Sequence, residues 1–393
     1  MDKKTIRDID VYNKKVLVRV DFNVPLKDGV ITDDNRIKEE IPTLKYLLDN
    51  GAAVIVMSHL GRPEGQVNLK YSLKPTVARL SEYLGREVLF ADDCIGESAY
   101  ELAKGLESGQ VLMLENLRFY AEEEENDKDF CEKLAKLADV YVNDAFGTAH
   151  RKHASTYGVA KLLPNAVGFL IEKELKMIVD TINEPKRPFV GILGGAKVSD
   201  KITIVESLLN KVDTLIVGGA MAYTFLAAQN FNMGNSLVEK EMVGEAQRLL
   251  TLAQEKGVTL MLPCDHVVTD NFENPTVIKN TKNPNVPVEM LGMDIGKQTV
   301  KQYKNAVKHA KTVIWNGPMG VFENKNFENG TKQVAKALAK TKAITIIGGG
   351  DSAAAVIKFG YAKKISHIST GGGASLKLFE GKVLPAVDVI ENK

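Results

Sequence analysis

Cysteine is scarce and scattered: Cys94, Cys131 and Cys264 are the only three in 393 residues. An odd number at wide spacing argues against a disulfide framework or a zinc cluster and fits a reducing cytosol. Long apolar runs are missing as well. Met1-Asp2-Lys3-Lys4-Thr5 is not followed by an apolar signal core, and no run reaches the length needed to cross a bilayer. A soluble cytoplasmic protein with no membrane partner is expected. Net charge is nearly absent, with 51 Lys+Arg against 50 Asp+Glu. No global field therefore draws nucleic acid, and any anion site must be local.

Arginine is almost lacking from the second half of the chain. Nine of the ten (Arg7, Arg19, Arg36, Arg62, Arg79, Arg86, Arg118, Arg151, Arg187) precede residue 190, and only Arg248 follows. Guanidinium forks suit phosphate and carboxylate, whereas glycine turns hold phosphate through backbone N–H groups, so the halves are expected to bind anions by different means. The common nucleotide signatures are missing too. There is no Walker A pattern and no protein-kinase signature set. Gly348-Gly349-Gly350-Asp351-Ser352-Ala353 fits the dinucleotide pattern G-x-G-x-x-A, but the acidic residue expected about 20 positions later is replaced by His367-Ile368-Ser369-Thr370-Gly371.

What the chain does have is a series of short apolar runs that end in glycine. Phe189 to Leu193 leads to Gly194-Gly195-Ala196-Lys197, Leu215 to Val217 to Gly218-Gly219, and Val313 to Trp315 to Asn316-Gly317-Pro318-Met319-Gly320. Ile344 to Ile347 then ends at Gly348-Gly349-Gly350-Asp351-Ser352, and Ile368-Ser369-Thr370 at Gly371-Gly372-Gly373. Buried parallel strands turn into helices in this way, and glycine lets the helix start approach an anion. The first half alternates likewise, with strands expected at Val16 to Val20, Ala52 to Met57, Glu87 to Phe90, Val111 to Leu114 and Val140 to Val142. Helical spacing follows in Ile37, Ile41, Leu44 and Leu48, and again in Leu73, Val77, Leu80 and Leu84. Ile171, Leu175, Ile178 and Ile182 mark one continuous helix between the halves, closed by Pro185 and Pro188, which places a domain boundary there. Glu122 to Glu125 reads as a solvated loop and Asn271 to Pro287 as a long surface loop. The length suits two or three domains, and the fold class is α/β.

Polar residues gather just after the strands of the first half, where α/β proteins place ligands. Asp21 and Asn23 follow the first strand, His59 and Arg62 the second, Arg118 the fourth, and Asp144, His150 and Arg151 the fifth. Three guanidinium groups on one rim repel one another, and a bound dianion relieves this. Asp21 and Asn23 then suit the hydroxyls of a small polyol acid, although Asp21 equally suits holding Arg19 or capping a turn. In the second half a carboxylate at Asp351 beside a phosphate-binding turn calls for a cation between them, magnesium being the usual one. The competing reading makes Asp351 or Ser352 the N-cap of the following helix. Lys197 and Lys201, four apart, are expected on one face of the helix after Gly194-Gly195, where a polyphosphate relieves their repulsion. These patterns leave open a nucleotide kinase outside the two common classes, or a dehydrogenase with a degenerate fingerprint.

Several longer segments narrow the choice: Arg19-Val20-Asp21-Phe22-Asn23-Val24-Pro25, Ser58-His59-Leu60-Gly61-Arg62, and Asn143-Asp144-Ala145-Phe146-Gly147-Thr148-Ala149-His150-Arg151. With them stand Gly194-Gly195-Ala196-Lys197-Val198-Ser199-Asp200-Lys201, Trp315-Asn316-Gly317-Pro318-Met319-Gly320-Val321-Phe322-Glu323, and Gly348 to Ser352. From near residue 5 to the carboxyl terminus the chain closely resembles the phosphoglycerate kinases. That resemblance implies two similar-sized, doubly wound α/β domains with mainly parallel sheets, joined by a long helix and hinge. Residues 1–170 are then the phosphoglycerate-binding domain, 171–187 the linking helix and hinge, 188–380 the nucleotide-binding domain, and 381–393 a tail returning to the first. It implies a glycolytic phosphotransferase with a carboxyl group as acceptor, moving a phosphoryl group between 1,3-bisphosphoglycerate and ADP, with magnesium, as a monomer.

Carried over by position, Asp21, Asn23, Arg36, His59, Arg62, Arg118 and Arg151 resemble the phosphoglycerate site. Lys201, Gly292, Asn316, Glu323, Gly350, Asp351 and Ser352 resemble the nucleotide site, with Asp351 the metal ligand. Arg36, Lys197 and the backbone of Gly371, Gly372 and Gly373 resemble the groups around the transferring phosphoryl. The chain departs from the pattern at Ser352, where Thr is frequent, at Lys377, where Glu is usual, and at Ala386, where Gly is usual. Two rivals stand beside this reading: a nicotinamide-dependent dehydrogenase, which leaves the arginine rim unexplained, and a two-domain anion-binding protein without chemistry.

Overall fold

A computed structural model describes residues 2–393. Ten of its apolar runs of strand length line up in two parallel six-stranded sheets, to which Asn165–Val167 and Thr259–Met261 add an edge strand each. In the first sheet the strands are β1 (Lys15–Arg19), β2 (Ala53–Met57), β3 (Val88–Phe90), β4 (Val111–Met113), β5 (Val140–Asn143) and β6 (Asn165–Val167), in the order β3-β4-β2-β1-β5-β6. The second holds β7 (Phe189–Leu193), β8 (Thr214–Val217), β9 (Thr259–Met261), β10 (Thr312–Asn316), β11 (Ile344–Gly348) and β12 (His367–Ile368), in the order β9-β8-β7-β10-β11-β12. All pairings within both sheets are parallel. Every residue of β2, β7 and β10 is buried, because helices cover both faces of such a sheet; this is why the runs are continuously apolar rather than alternating.

Each sheet winds in both directions from a central strand, so a crevice opens where the order reverses: between β1 and β5 in the first sheet and between β7 and β10 in the second. The order of the second sheet is the one that dinucleotide-binding folds use, so topology alone does not separate a kinase from a dehydrogenase; the side chains must.

The chain divides into two compact units, Met1–Lys176 with Val383–Lys393, and Met177–Lys382. One sheet lies in each. In the first unit the carboxyl-terminal segment is anchored by Lys4 N to Glu391 O at 2.9 Å and Ala386 N to Ala149 O at 3.1 Å. Val16, Val18, Val54 and Val56 centre the first core, and Ile192, Ile216, Trp315 and Ile347 the second. Trp315 is fully buried, and its indole N–H donates to Gly317 O at 2.7 Å. The largest core side chain of the second unit thus satisfies its one polar atom by fixing the turn after β10.

Three expectations need correction. Glu122 to Glu125 is not a solvated loop: Ala121–Glu125 is helical and Glu123 is fully buried. A charge run said nothing of which glutamate turns inward. The segment from Asn271 to Pro287 is not all loop, since Ile278–Asn280 pairs antiparallel with His266–Thr269, which pairs in turn with Leu291–Ile295. The expected helix between the halves is unbroken from 169 to 183 but contains a π-helical turn at Lys176–Asp180 between Phe169–Leu175 and Thr181–Asn183. Regular spacing does not reveal one extra residue in a turn.

Candidate active site

The loop after β1 is held from two sides. Arg36, in the first turn of helix Asn35–Asp49, forms an ion pair with the Asp21 carboxylate. Asp21 Oδ1 also accepts from Asn23 N at 3.2 Å, and Asn23 Oδ1 accepts from Gly61 N at 2.9 Å, joining this loop to the one after β2. Of the readings open for Asp21, turn capping is present, but its ion-pair partner is Arg36 rather than Arg19. Burial pushes the Asp21 carboxyl up, but the Arg36 and Arg19 guanidinium groups outweigh it and hold the carboxyl below the usual range.

His59 is 4% exposed. Arg19 Nη2 lies 3.2 Å from its Nδ1, and a guanidinium has donors only. Nδ1 must therefore accept, which puts the imidazole proton on Nε2 as a donor. Burial first, then the charges of Arg19, Arg118 and Arg36, keep the ring far below the ordinary histidine pKa. His59 is a neutral N–H donor among cations. His153 is held down the same way, to about 3, by burial and by Arg118, Arg19 and Arg151.

Arg118 is nearly buried, donating from Nη1 to Gly61 O at 2.9 Å and pairing through Nη2 with Glu124 at 3.1 Å. Arg151 donates to His150 Nε2 at 3.2 Å. Arg62 is exposed, one residue beyond the carbonyl that Arg118 grips. Among the described residues neither Arg62 nor Arg151 has a carboxylate partner within ion-pair range. Beneath them Arg19, 0% exposed, donates from Nε to Ser155 Oγ at 2.7 Å, and Ser155 donates to Glu123 at 2.5 Å. Sequence reasoning missed this buried support. An arginine inside the apolar strand Val16-Leu17-Val18-Arg19-Val20 was the available signal; nothing in the sequence singled out Glu123.

In the second unit the glycine turns play two distinct parts. Gly194 N donates to Asn316 O at 2.9 Å, Gly195 N to Pro318 O at 3.2 Å and Gly219 N to Met319 O at 3.0 Å. These amides are spent on binding the loops after β7, β8 and β10 together, so they are not free anion donors as the glycine pattern led us to expect. Glycine is required here for close approach: at Gly219 φ is +68° and a side chain would start 2.6 Å from Gly195 N. Free amides lie instead at two helix starts. Gly350, Asp351 and Ser352 open helix Gly350–Lys358, and Gly372 and Gly373 open helix Gly372–Phe379, whose N-cap is Gly371. A side chain at Gly372 would begin 3.8 Å from Gly350 N, so the two starts adjoin. Two helix dipoles and their unpaired N–H groups then favour negative charge in one place.

Lys201 donates to Asn316 Oδ1, and Asn316 donates in turn to Gly348 O at 2.7 Å. Burial pulls the Lys201 ammonium below the usual lysine range, opposed by Asp200, Asp351 and Glu380. Ser352 Oγ accepts from Gly317 N at 2.6 Å, tying the turns after β10 and β11. Neither Asp351 nor Ser352 is the helix N-cap; that position is Gly349, at φ +92°. Asp351 is exposed in the first turn, free of capping duty.

Lys197 and Lys201 do not share a helix face. The helix begins at Ile202 with Lys201 as its N-cap, and Lys197 lies exposed in an irregular segment before it. That segment is pinned by Glu239, which accepts from Val198 N at 2.5 Å and from Ser199 N at 3.2 Å. Nothing in the sequence marked Glu239. Gly292 lies in Leu291–Ile295 with its N–H on Ser236 Oγ at 2.9 Å, where a side chain would strike Tyr223. Glu323 is exposed in the loop that Val321 N joins to the same strand through Met293 O at 3.0 Å.

Fold and side chains together define an α/β protein with a guanidinium-lined site at the edge of one sheet and a helix-start and lysine site at the edge of the other. The phosphoglycerate kinase family model matches residues 6–382. A phosphoglycerate kinase of Clostridium perfringens is 55% identical over 395 aligned residues, covering 100% of this chain and 99% of that one. One of Clostridium botulinum is 54% identical with the same coverage. Among solved structures, phosphoglycerate kinase from Coxiella burnetii superposes with a TM-score of 0.91 at 40% identity, and that from Pyrococcus horikoshii OT3 with 0.81 at 36%, each covering 98% of both chains. The chain belongs to the phosphoglycerate kinase family.

Proposed function

We infer that this chain moves a phosphoryl group between 1,3-bisphosphoglycerate and ADP, giving 3-phosphoglycerate and ATP, a step of glycolysis. The observation that carries this reading is neutral His59 ringed by Arg19, Arg36 and Arg118. That setting suits a ligand with both a phosphate and a carboxylate, and it leaves the dehydrogenase reading without an explanation for the rim. Asp21, Asn23, Arg36, His59, Arg62, Arg118 and Arg151 hold the acid; Lys201, Asn316 and the Gly350 to Ser352 turn hold the nucleotide, with Gly292 and Glu323 farther along it.

In the direction of ATP consumption the nucleophile is the carboxylate of 3-phosphoglycerate, ionised at neutral pH, so no general base is required. Positioning and charge neutralisation supply the rate. Charge in the transition state spreads over three equatorial oxygens, which Lys197, Arg36 and the amides of Gly372 and Gly373 neutralise. Asp351 fits a metal shared with phosphate: one exposed carboxylate beside the helix start suffices where phosphates fill the rest of the shell. Magnesium, when bound there with the nucleotide, offsets the charge of the phosphates. Acid and nucleotide are assigned to different units, so in-line transfer requires both ligands to meet with water excluded, and we assign the hinge to the helical run 169–183. The reading includes a monomer acting in the cytoplasm; among the described residues no helix is long and apolar enough to cross a membrane. Titration calorimetry tests the site assignment. 3-Phosphoglycerate should bind with a signal that Arg118→Ala and Arg62→Ala weaken and that Asp351→Asn leaves intact.

A further inference from the structure

Helix Asn35–Asp49 grips Asp21 twice from one face. Arg36 pairs with its carboxylate, and one turn later Glu40 Oε1 accepts from its backbone N–H at 3.0 Å. Glu40 is 0% exposed, and so is Asp144, which follows β5. Asp144 Oδ1 accepts from Ile171 N at 3.0 Å, at the start of helix Phe169–Leu175, and the nearby Thr43 hydroxyl and Leu170 amide favour its charged form. The other oxygens, Glu40 Oε2 and Asp144 Oδ2, have no donor from any described residue, while the two carboxyl groups are hydrogen-bonding neighbours. Two acceptor-only groups sealed from water do not adjoin unless a proton lies between them. Each carboxyl accepts one backbone amide, but Thr43 and Leu170 further favour the charged form of Asp144, so the proton resides on Glu40. Burial and the negative charges of Asp144 and Asp21 raise the Glu40 pKa well above the carboxylate range, and burial takes Asp144 to about 6. The charged groups nearest the pair are the Asp21 carboxylate, from the loop after β1, and the Arg36 guanidinium that neutralises it; helix Phe169–Leu175 supplies the Ile171 amide and also carries Glu174, itself buried, and Lys173, paired with Glu39 at 3.1 Å.

We propose that Glu40 is a positioning residue of the acid-binding site. As a neutral carboxylic acid it donates its proton to Asp144 Oδ2 and accepts the Asp21 amide on its carbonyl oxygen. One buried hydrogen bond thereby ties the Asp21 and Arg36 pair to the start of the helix that leaves this unit. The consequence for substrate affinity rests on the phosphoglycerate reading; the bond and its proton do not.

Two measurements on wild type, Glu40→Ala and Glu40→Gln separate the claims. In the infrared, the wild-type protein at neutral pH shows a protonated-carboxyl C=O band that both substitutions abolish. In steady-state kinetics Glu40→Ala raises KM for 3-phosphoglycerate by about tenfold, the effect of one buried hydrogen bond left unmade, and leaves KM for ATP unchanged. Glu40→Gln, whose amide oxygen still accepts from Asp21 and whose NH₂ still donates to Asp144, restores KM to the wild-type value. A wild-type spectrum without the band, or one that Glu40→Gln does not alter, overturns the shared proton. Equal changes in both KM values, or a lowered Tm with unchanged kinetics, overturn the positioning role. Should Glu40→Ala fail to fold, Glu40→Gln decides alone: the band must vanish while the Asp21 amide keeps its wild-type chemical shift and exchange protection. If the wild-type chain does not use 3-phosphoglycerate, the function assigned above fails, and the band and that amide signal still decide this proposal.

Discussion

Arg19 donates to His59 Nδ1 across 3.2 Å, and that one contact sets the chemistry of the rim. The ring is left neutral with its proton on Nε2. Nitrogen-resolved NMR of His59 should show the Nε2–H tautomer with no titration near the ordinary value of 6.5. Arg19→Met should release the ring to titrate at higher pH and weaken 3-phosphoglycerate binding.

Acid stability follows from His153. Its folded pKa, about 3, lies below the unfolded value of 6.5, so the unfolded chain takes up the proton first as pH falls. The stability His153 contributes is fully present above 6.5 and is lost progressively toward about 3. Tm measured against pH should decline more gently in that window for His153→Gln than for the wild type.

Asp351→Asn should lose most activity through weak magnesium-nucleotide binding, because no other carboxylate lies in the turn Gly348 to Ser352. Nucleotide affinity measured by fluorescence while magnesium is varied should show the wild type gaining affinity with metal and the variant gaining little. Ordinary magnesium dependence in the variant removes Asp351 from the metal site.

Lys197 and Arg118 should separate transition-state from ground-state effects. Lys197→Ala lowers kcat by roughly 100-fold or more with small changes in either KM, since its partner is charge that develops during transfer. Arg118→Ala acts mainly on the KM for 3-phosphoglycerate, because its target is the phosphate that does not react. A Lys197→Ala effect confined to KM contradicts the assignment.

Both sheets were legible because buried parallel strands require unbroken apolar runs, and the glycines after them mark where loops pack backbone to backbone. Residues at strand ends, such as Asp21, His59 and Arg118, were legible for the same reason: strand position fixes them at one edge. What escaped was everything that depends on side chains reaching between elements. Glu123 and Glu239 support site loops from distant segments, and no local pattern distinguishes them from solvated glutamates. The four-residue spacing of Lys197 and Lys201 suggests one helix face, yet Glu239 holds the intervening backbone irregular. Glycines after β7 and β8 suggest phosphate donors, yet loop packing uses the amides of Gly194 and Gly219 instead.

The most direct test is a coupled assay of the purified protein with ATP, magnesium and 3-phosphoglycerate. ADP should form only when 3-phosphoglycerate is present, with 1,3-bisphosphoglycerate formed in equal amount. Failure to form ADP, or ADP formation from ATP and magnesium alone, contradicts phosphoryl transfer to the acid.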